Sequence, residues 1–341
     1  MSQQHGADGR PHSTAETAAG GVRRAHPVRA TVLLVVTLAA LVAAFVGVYL
    51  VFVTTRSGQY ADERALVAAL RLVRYGDAPE LLITALDNLP AAVGIACGVG
   101  VLLCMIVRKT LLGPLVATAG GLLAILLTQL LKREVLERPS FGISEANVVS
   151  FPSGHTTVAA AGVMALLLSL GPGLRPIWGC LGAFVAGAAG LSTVALGWHR
   201  PSDVVGALLL VTVCGLLAAS VVSVLEERRD RHDATGADSL QAHLLTPFGP
   251  GVTRPAGTGA CVTMSTIGLI ATVTAGILIK PLAAIPDGPR LRADSEWTTA
   301  QDPVSALGYG LLAVIGVALT VYPLLGVWAS RWARPSALRP A

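Results

Sequence analysis

The sequence predicts an all-α integral membrane protein, a polytopic helical bundle, and three observations predict it. Of its 341 residues, 53% are hydrophobic and only 13% charged, with a mean hydropathy of +0.67; a soluble domain carries about 25% charged residues. The charge that is present collects in the gaps between apolar runs of roughly 20 residues, the length that spans a bilayer core. Eight such runs occur, read here as a six-span unit over 29–225 followed by two more spans over 261–341. The formal charge of +5 fits Lys and Arg flanking membrane spans, and no basic run interleaved with aromatics points to nucleic acid. Cys97, Cys104, Cys180, Cys214 and Cys261 lie in or beside apolar segments without a CxxC pair, so neither a disulfide framework nor a zinc site is expected.

Residues 1–28 are polar, without an apolar period, and are expected to form a disordered cytoplasmic tail. Arg23, Arg24 and Arg29 then precede a first span, Ala30 to Val53, too long for a signal-peptide core. Residues 54–81 are mixed and charged, with Asp62, Glu63, Arg64, Arg71 and Arg74; Leu66 to Val73 predicts a short amphipathic helix lying on the membrane. The second span begins near Leu82 or Leu89 and closes at Arg108-Lys109, and the third runs from Leu111 to Leu131 and stops at Lys132. The fourth opens near His155 and ends at Gly171-Pro172-Gly173, a helix-stop signal. The fifth covers Ile177 to Leu196. The sixth, Val204 to Leu225, ends at the charged stretch that starts with Glu226, and residues 226–260 read as a polar cytoplasmic loop. Two motif-free spans, about 261–283 and 305–328, are expected to be an accessory pair or a partner surface.

Eight spans put both termini on one side, and local arginines place that side in the cytoplasm. The 132–154 loop and the 197–203 cluster then share the extracytoplasmic face of a multi-pass cell-membrane protein. Three polar clusters meet there: Lys132-Arg133 through Arg138-Pro139, Phe151-Pro152-Ser153-Gly154-His155, and Gly197-Trp198-His199-Arg200-Pro201-Ser202-Asp203. Cleaving a phosphate ester without a metal takes cations and amides around the non-bridging oxygens, a nucleophile and an acid for the leaving oxygen. Lys132 and Arg138 are the cations, Arg gripping in two teeth where Lys is a point charge. Ser153 and Gly154 precede a span whose free amides and positive end favour an anion. His155 and His199 are the acid/base and nucleophile candidates. Asp203, four residues after His199, falls one helical turn away, where a carboxylate fixes an imidazole tautomer.

Lys132…Arg138-Pro139, Pro152-Ser153-Gly154-His155 and Ser192…His199-x-x-x-Asp203 resemble the three motifs of the type 2 phosphatidic acid phosphatase superfamily, over about Leu111 to Leu225. The resemblance implies that His199 attacks phosphorus to give a phosphohistidine, that Asp203 orients it, and that His155 protonates the leaving group. It also implies that Lys132, Arg138, Ser153 and Gly154 bind phosphate and that no metal or other cofactor takes part. Two departures stand out. The family spacing Lys-x6-Arg-Pro is one residue shorter here, which in a continuous helix would rotate the cation by about 100°. The Ser-Arg that opens the family's third motif is Ser192-Thr193 here, and losing a charge-assisted contact costs about 1.5–3 kcal/mol. Arg200 or Arg133 is the expected substitute.

The Ala/Gly/Arg-rich composition suggests a bacterial plasma membrane. The expected activity is hydrolysis of a lipid phosphate or pyrophosphate among the surrounding membrane lipids. The competing expectations are a lipid-phosphate-binding protein of the same fold without turnover and, behind it, a transporter. Taken alone, Lys132 and Arg133 read as snorkelling anchors and Trp198 as an interfacial belt residue. Asp87, Gln129 and Lys280 read as structural.

Overall fold

The computed structural model describes residues 27–73, 78–144, 149–235, 257–283 and 303–332, and among them every regular element is helical. α1 is Pro27–Val48, continued by a π-turn at Tyr49–Val53; α2 is Arg56–Val73 and α3 Glu80–Arg108. α4 is Leu112–Leu130, continued by a π-turn at Leu131–Val135; α5 is Gly154–Ser169 and α6 Arg175–Ala195. α7 is Pro201–Thr235, α8 Thr258–Leu282 and α9 Pro303–Trp332. Seven of these segments are long and apolar enough to cross a membrane, where only internally paired backbone is tolerated. α5 is the eighth apolar helix; its 16 residues rise about 24 Å, short of the roughly 30 Å of a hydrocarbon core. It is the central helix, with α3, α4, α6 and α7 all packed on it. The molecule is a polytopic helical membrane bundle.

The last span is more than an appendage. α9 packs on α6, α7 and α2 as well as on α8. Its Tyr322 hydroxyl donates to the Ala160 carbonyl of α5 at 2.9 Å. α8 keeps a largely exposed apolar face and reaches α9 through glycines: a Cβ on Gly268 would sit 2.6 Å from the Gly316 carbonyl. Such small-residue crossings let membrane helices approach closely.

At one end of the bundle Arg175, 1% exposed, ties four helices. Its Nε donates to the Leu170 carbonyl at 3.1 Å, its Nη1 to Glu226 Oε2 at 3.1 Å and the Ala329 carbonyl at 3.0 Å, and its Nη2 to the Leu168 carbonyl at 3.0 Å and Glu226 Oε1 at 2.7 Å. Arg108 joins from α3, 3.7 Å from Glu226 Oε1 and donating to the Ser169 carbonyl at 2.6 Å.

Two expectations are corrected. The surface helix expected over Leu66 to Val73 begins ten residues earlier and is not a surface helix: Gly58 through Glu63 and Ala65 through Ala68 are buried. Its polar face misleads because it is paired inside the protein. Gln59 Nε2, for instance, donates to the carbonyls of Val53 (2.7 Å) and Pro139 (2.9 Å). The polar loop expected from residue 226 also begins later: the sixth span closes at Glu226, but its helix runs on to Thr235. Of the expected tail over 1–28, residues 1–26, and of the expected loop over 226–260, residues 236–256, lie outside the described residues.

Candidate active site

The up-and-down order of the helices brings the ends of α1, α4 and α6 and the starts of α5, α7 and α9 to the end of the bundle opposite Arg175. α4 closes in a π-turn, in which the Leu136 amide donates to the Leu131 carbonyl at 2.8 Å, and the chain then turns extended at Leu136. π-turns recur at functional sites. Lys132 sits half-buried in this turn and Arg133 is exposed. Since Arg138 follows in non-helical chain, the shortened Lys132-to-Arg138 spacing rotates nothing. Arg138 Nη1 and Nη2 are buried and have no hydrogen-bond partner among the described residues. Burial, and next the charge of Arg200, hold its pKa below the usual guanidinium value; Asp203, Asp62 and Glu63 pull the other way. Beside it lies a cavity of about 10 Å³ lined by Gln59, Arg138, Pro139 and Ser144 among others, the size of one water.

α5 begins at Gly154 because Ser153 caps it. The buried Ser153 hydroxyl accepts from the Thr156 amide at 3.2 Å, and the Thr157 amide returns to the Ser153 carbonyl at 3.0 Å. The orphan donors of the first turn therefore reduce to the amides of Gly154 and His155. The Ser153 amide donates to the Asp203 carbonyl at 2.9 Å, which joins the second polar cluster to the third. A Cβ on Gly154 would meet only Gln129 Nε2, at 3.6 Å, so open space lies over this helix end.

α6 ends at Gly197, whose φ of 78° is a left-handed conformation that glycine adopts without penalty; a Cβ there would also strike Leu70 Cδ1 of α2 at 2.8 Å. The amides of Trp198 and His199 both donate to the Thr193 carbonyl, at 2.9 and 3.2 Å. Thr193 thus serves the site through its backbone. Its buried hydroxyl bonds the Gly190 carbonyl of its own helix at 2.7 Å. The start of α7 is a reciprocal cap: the Asp203 amide donates to the Arg200 carbonyl at 3.0 Å, and the Arg200 amide to Asp203 Oδ2 at 2.9 Å.

These caps bring the two histidines together. His155 Nδ1 lies 3.5 Å from His199 Nε2, and His199 Nδ1 lies 3.5 Å from Asp203 Oδ2. Both separations exceed a well-made hydrogen bond. Asp203 Oδ1 is buried without a hydrogen-bond partner among the described residues. His155 is exposed and His199 nearly buried. The Trp198 ring, expected to be an interfacial anchor, lies 5.0 Å from that of His155.

Arg200 is placed differently from the other cations. Its Nε donates to Glu63 Oε2 at 2.6 Å, its Nη1 to Ser150 Oγ at 3.1 Å and its Nη2 to Ser144 Oγ at 2.8 Å. Burial works against its charge, but Glu63 and then Asp203 outweigh this and hold its pKa above the ordinary value. So His155, His199 and Asp203 form one row, with Lys132 near enough to act on His155 and Asp203 near enough to act on Arg138, whereas Ser153 and Arg200 spend their polar groups on internal bonds and Arg133 is exposed.

Sequence reasoning passed over several neighbours. Asp62 and Glu63 of α2 stand directly behind the 200–203 turn, and Tyr309 of α9 donates to Asp62 Oδ1 at 3.2 Å. The one available signal was that Gln59, Asp62 and Glu63 share a helical face at i, i+3 and i+4. Asp87 of α3 and Lys132 are both near enough to act electrostatically on His155, and Gln129 adjoins Gly154; nothing in the sequence linked Asp87 or Gln129 to the site.

Residues 122–226 match the family model described as the PAP2 superfamily, a segment that holds every one of the three polar clusters. No curated protein and no solved structure matches the chain.

Proposed function

We propose that this chain, whose residues 122–226 belong to the PAP2 superfamily, hydrolyses a lipid phosphate or pyrophosphate at the extracytoplasmic face of the membrane. The observation that carries this reading is the head of Arg138, buried without a hydrogen-bond partner among the described residues and near the Asp203 that ends the His155–His199–Asp203 row. Buried polar groups are ordinarily paired, and a cation left open next to an imidazole relay suits an anionic phosphoryl group. Arg138, Lys132 and the amides of Gly154 and His155 hold the non-bridging oxygens. Asp203 keeps the proton on His199 Nδ1, leaving the Nε2 lone pair free to attack phosphorus. As the N–P bond forms, the P–O bond to the lipid breaks and His155 gives its proton to the leaving oxygen. His155 then takes a proton from water, the water oxygen attacks phosphorus, and the N–P bond breaks to release phosphate.

An attack distance of about 3–3.5 Å and a hydrogen bond of about 2.6–3.2 Å to the leaving oxygen do not fit between two nitrogens 3.5 Å apart. The substrate therefore turns the exposed His155 outward while buried His199 stays. Candidate substrates are a polyprenyl pyrophosphate, phosphatidic acid, phosphatidylglycerol phosphate and a polyprenyl-linked sugar phosphate. A second reading, phosphate binding without turnover, is favoured by one observation: the Thr193 hydroxyl is spent on its own helix and no cation stands in its place.

The test is phosphate release from these lipids by the full chain in detergent, with and without EDTA, beside His199→Ala. Turnover that persists in EDTA and vanishes in His199→Ala, with label trapped on His199 after an alkaline quench, supports hydrolysis. Binding without release by the wild-type protein supports the second reading, and release undiminished in His199→Ala rules out the mechanism.

A further inference from the structure

The polar face of α2 is spent on the turn that carries His199 and Asp203. Asp62, fully buried, accepts from the Ser202 amide at 3.1 Å and the Ser202 hydroxyl at 2.6 Å, and from Tyr309 of α9 at 3.2 Å. Glu63, its neighbour, pairs with Arg200 at 2.6 Å. Ser202 and Arg200 flank Pro201 at the start of α7, and the Arg200 amide in turn holds Asp203 Oδ2. α2 also closes over Gly197, where Leu70 leaves no room for a Cβ. Gly197, Arg200 and Ser202 of this turn are thus braced from outside the 122–226 segment.

We propose that Asp62 and Glu63 are positioning residues for the nucleophile: through Ser202, Tyr309 and Arg200 they lock the 197–203 turn so that Asp203 faces His199 Nδ1. The inference rests on the phosphatase reading and adds to it that the family segment is completed by α2 and α9. A purely structural brace has no use for these groups, because apolar residues of similar volume replace buried ion pairs at little or no cost in stability. Carboxylates here instead supply directed acceptors. All three bonds to Asp62 come from donors, an arrangement that suits the ionised form. The charged and titratable groups facing Asp62 are Asp203 and Arg200 of the turn, Arg138 of the 136–153 loop, Glu63 on its own helix and Tyr309 of α9. Burial first, and the Asp203 charge next, raise its pKa to about 7. The anchor therefore changes charge near neutrality.

The full chain in detergent is assayed on phosphatidic acid and on a polyprenyl diphosphate as wild type, Asp62→Ala, Asp62→Asn and His199→Ala. Misplacing a reacting group by about 1 Å costs about 10²-fold in rate. Asp62→Ala is expected to lower kcat about tenfold or more with KM within about twofold, and Asp62→Asn, which keeps an acceptor for the Ser202 amide, to recover part of the loss. Amide deuterium exchange of the same proteins supplies a readout independent of turnover. Exchange in 198–203 is expected to quicken in Asp62→Ala while the 158–168 stretch of α5 is unchanged. Wild-type kcat, or unaltered exchange in 198–203, overturns the positioning role. No phosphate release by the wild type instead overturns the phosphatase reading, turnover retained by His199→Ala overturns the His199 mechanism, and either leaves the exchange result to decide the brace. Should Asp62→Ala not fold, Asp62→Asn carries both measurements, and wild-type kcat with wild-type exchange in that variant counts against the proposal.

Discussion

Arg175 and Arg138, toward opposite ends of the bundle, have their guanidinium heads treated in opposite ways. Arg175 uses all five of its N–H donors on Glu226 and three carbonyls; Arg138 has both Nη groups buried without a partner among the described residues. Isolating a charge in a low-dielectric interior is costly unless it is paired and hydrogen-bonded. The Arg175 end meets that demand with protein groups, so its cation is part of the scaffold. Arg138 leaves the demand unmet among the described residues although the Asp203, Asp62 and Glu63 charges lie near enough to act on it, a condition in which an incoming anion gains most. Burial alone does not separate a structural arginine from a ligand-binding one; the count of satisfied donors does.

The sharpest way to break the contrast is at the nucleophile. His199→Ala is expected to reduce phosphate release by about 10³-fold or more with little change in thermal stability, measured by release assay and thermal unfolding in the same detergent. Arg175→Met is expected to do the reverse. Removing one partner of a buried ion pair costs about 3–5 kcal/mol, so its unfolding midpoint should fall clearly while the surviving folded fraction keeps wild-type KM.

Asp62 gives a third, pH-dependent handle. Its folded pKa, about 7 against an ordinary 3.8, means that the folded state holds a proton the unfolded chain releases. The stability linked to that proton is full below about pH 4 and is lost as pH rises through 7. Asp62→Asn removes the titration, so wild type should lose stability relative to the variant between pH 5 and pH 8, by about 2–3 kcal/mol, read from paired unfolding curves. Equal curves at both pH values would mean that Asp62 does not titrate in this window. The smallest effect is expected from Gly197→Ala, where a left-handed backbone costs about 1–2 kcal/mol and the new Cβ presses on Leu70. A modest drop in the unfolding midpoint with a lowered kcat would show that the turn and α2 act together.

The bundle was legible because apolar length and charged boundaries follow directly from the bilayer's thickness, and all eight expected spans have a helix in the structure. The row of His155, His199 and Asp203 was legible because caps are local: Ser153 and Asp203 mark helix starts by residue type and spacing. What escaped is non-local. Asp62 and Glu63 look like solvated charges until Ser202 and Arg200, about 140 residues further on, are placed against them. Tyr309 sits in a span with no motif at all. The missing cation at Thr193 raised the expectation that Arg200 stands in for it, but sequence could not reveal Glu63 waiting for that guanidinium. In the same way, the one-residue-short spacing from Lys132 to Arg138 lost its importance only once α4 was seen to end in a π-turn.

The central claim is that Arg138 is open because phosphate completes it. The most direct test is phosphate release by Arg138→Ala against wild type, normalised to folded protein. Losing one charge-assisted contact costs about 1.5–3 kcal/mol, so kcat/KM should fall about 10- to 150-fold, with an unfolding midpoint equal to or above that of wild type because an unpaired buried charge has been removed. Wild-type kcat/KM in Arg138→Ala, or a collapse in stability like that expected of Arg175→Met, would contradict the account.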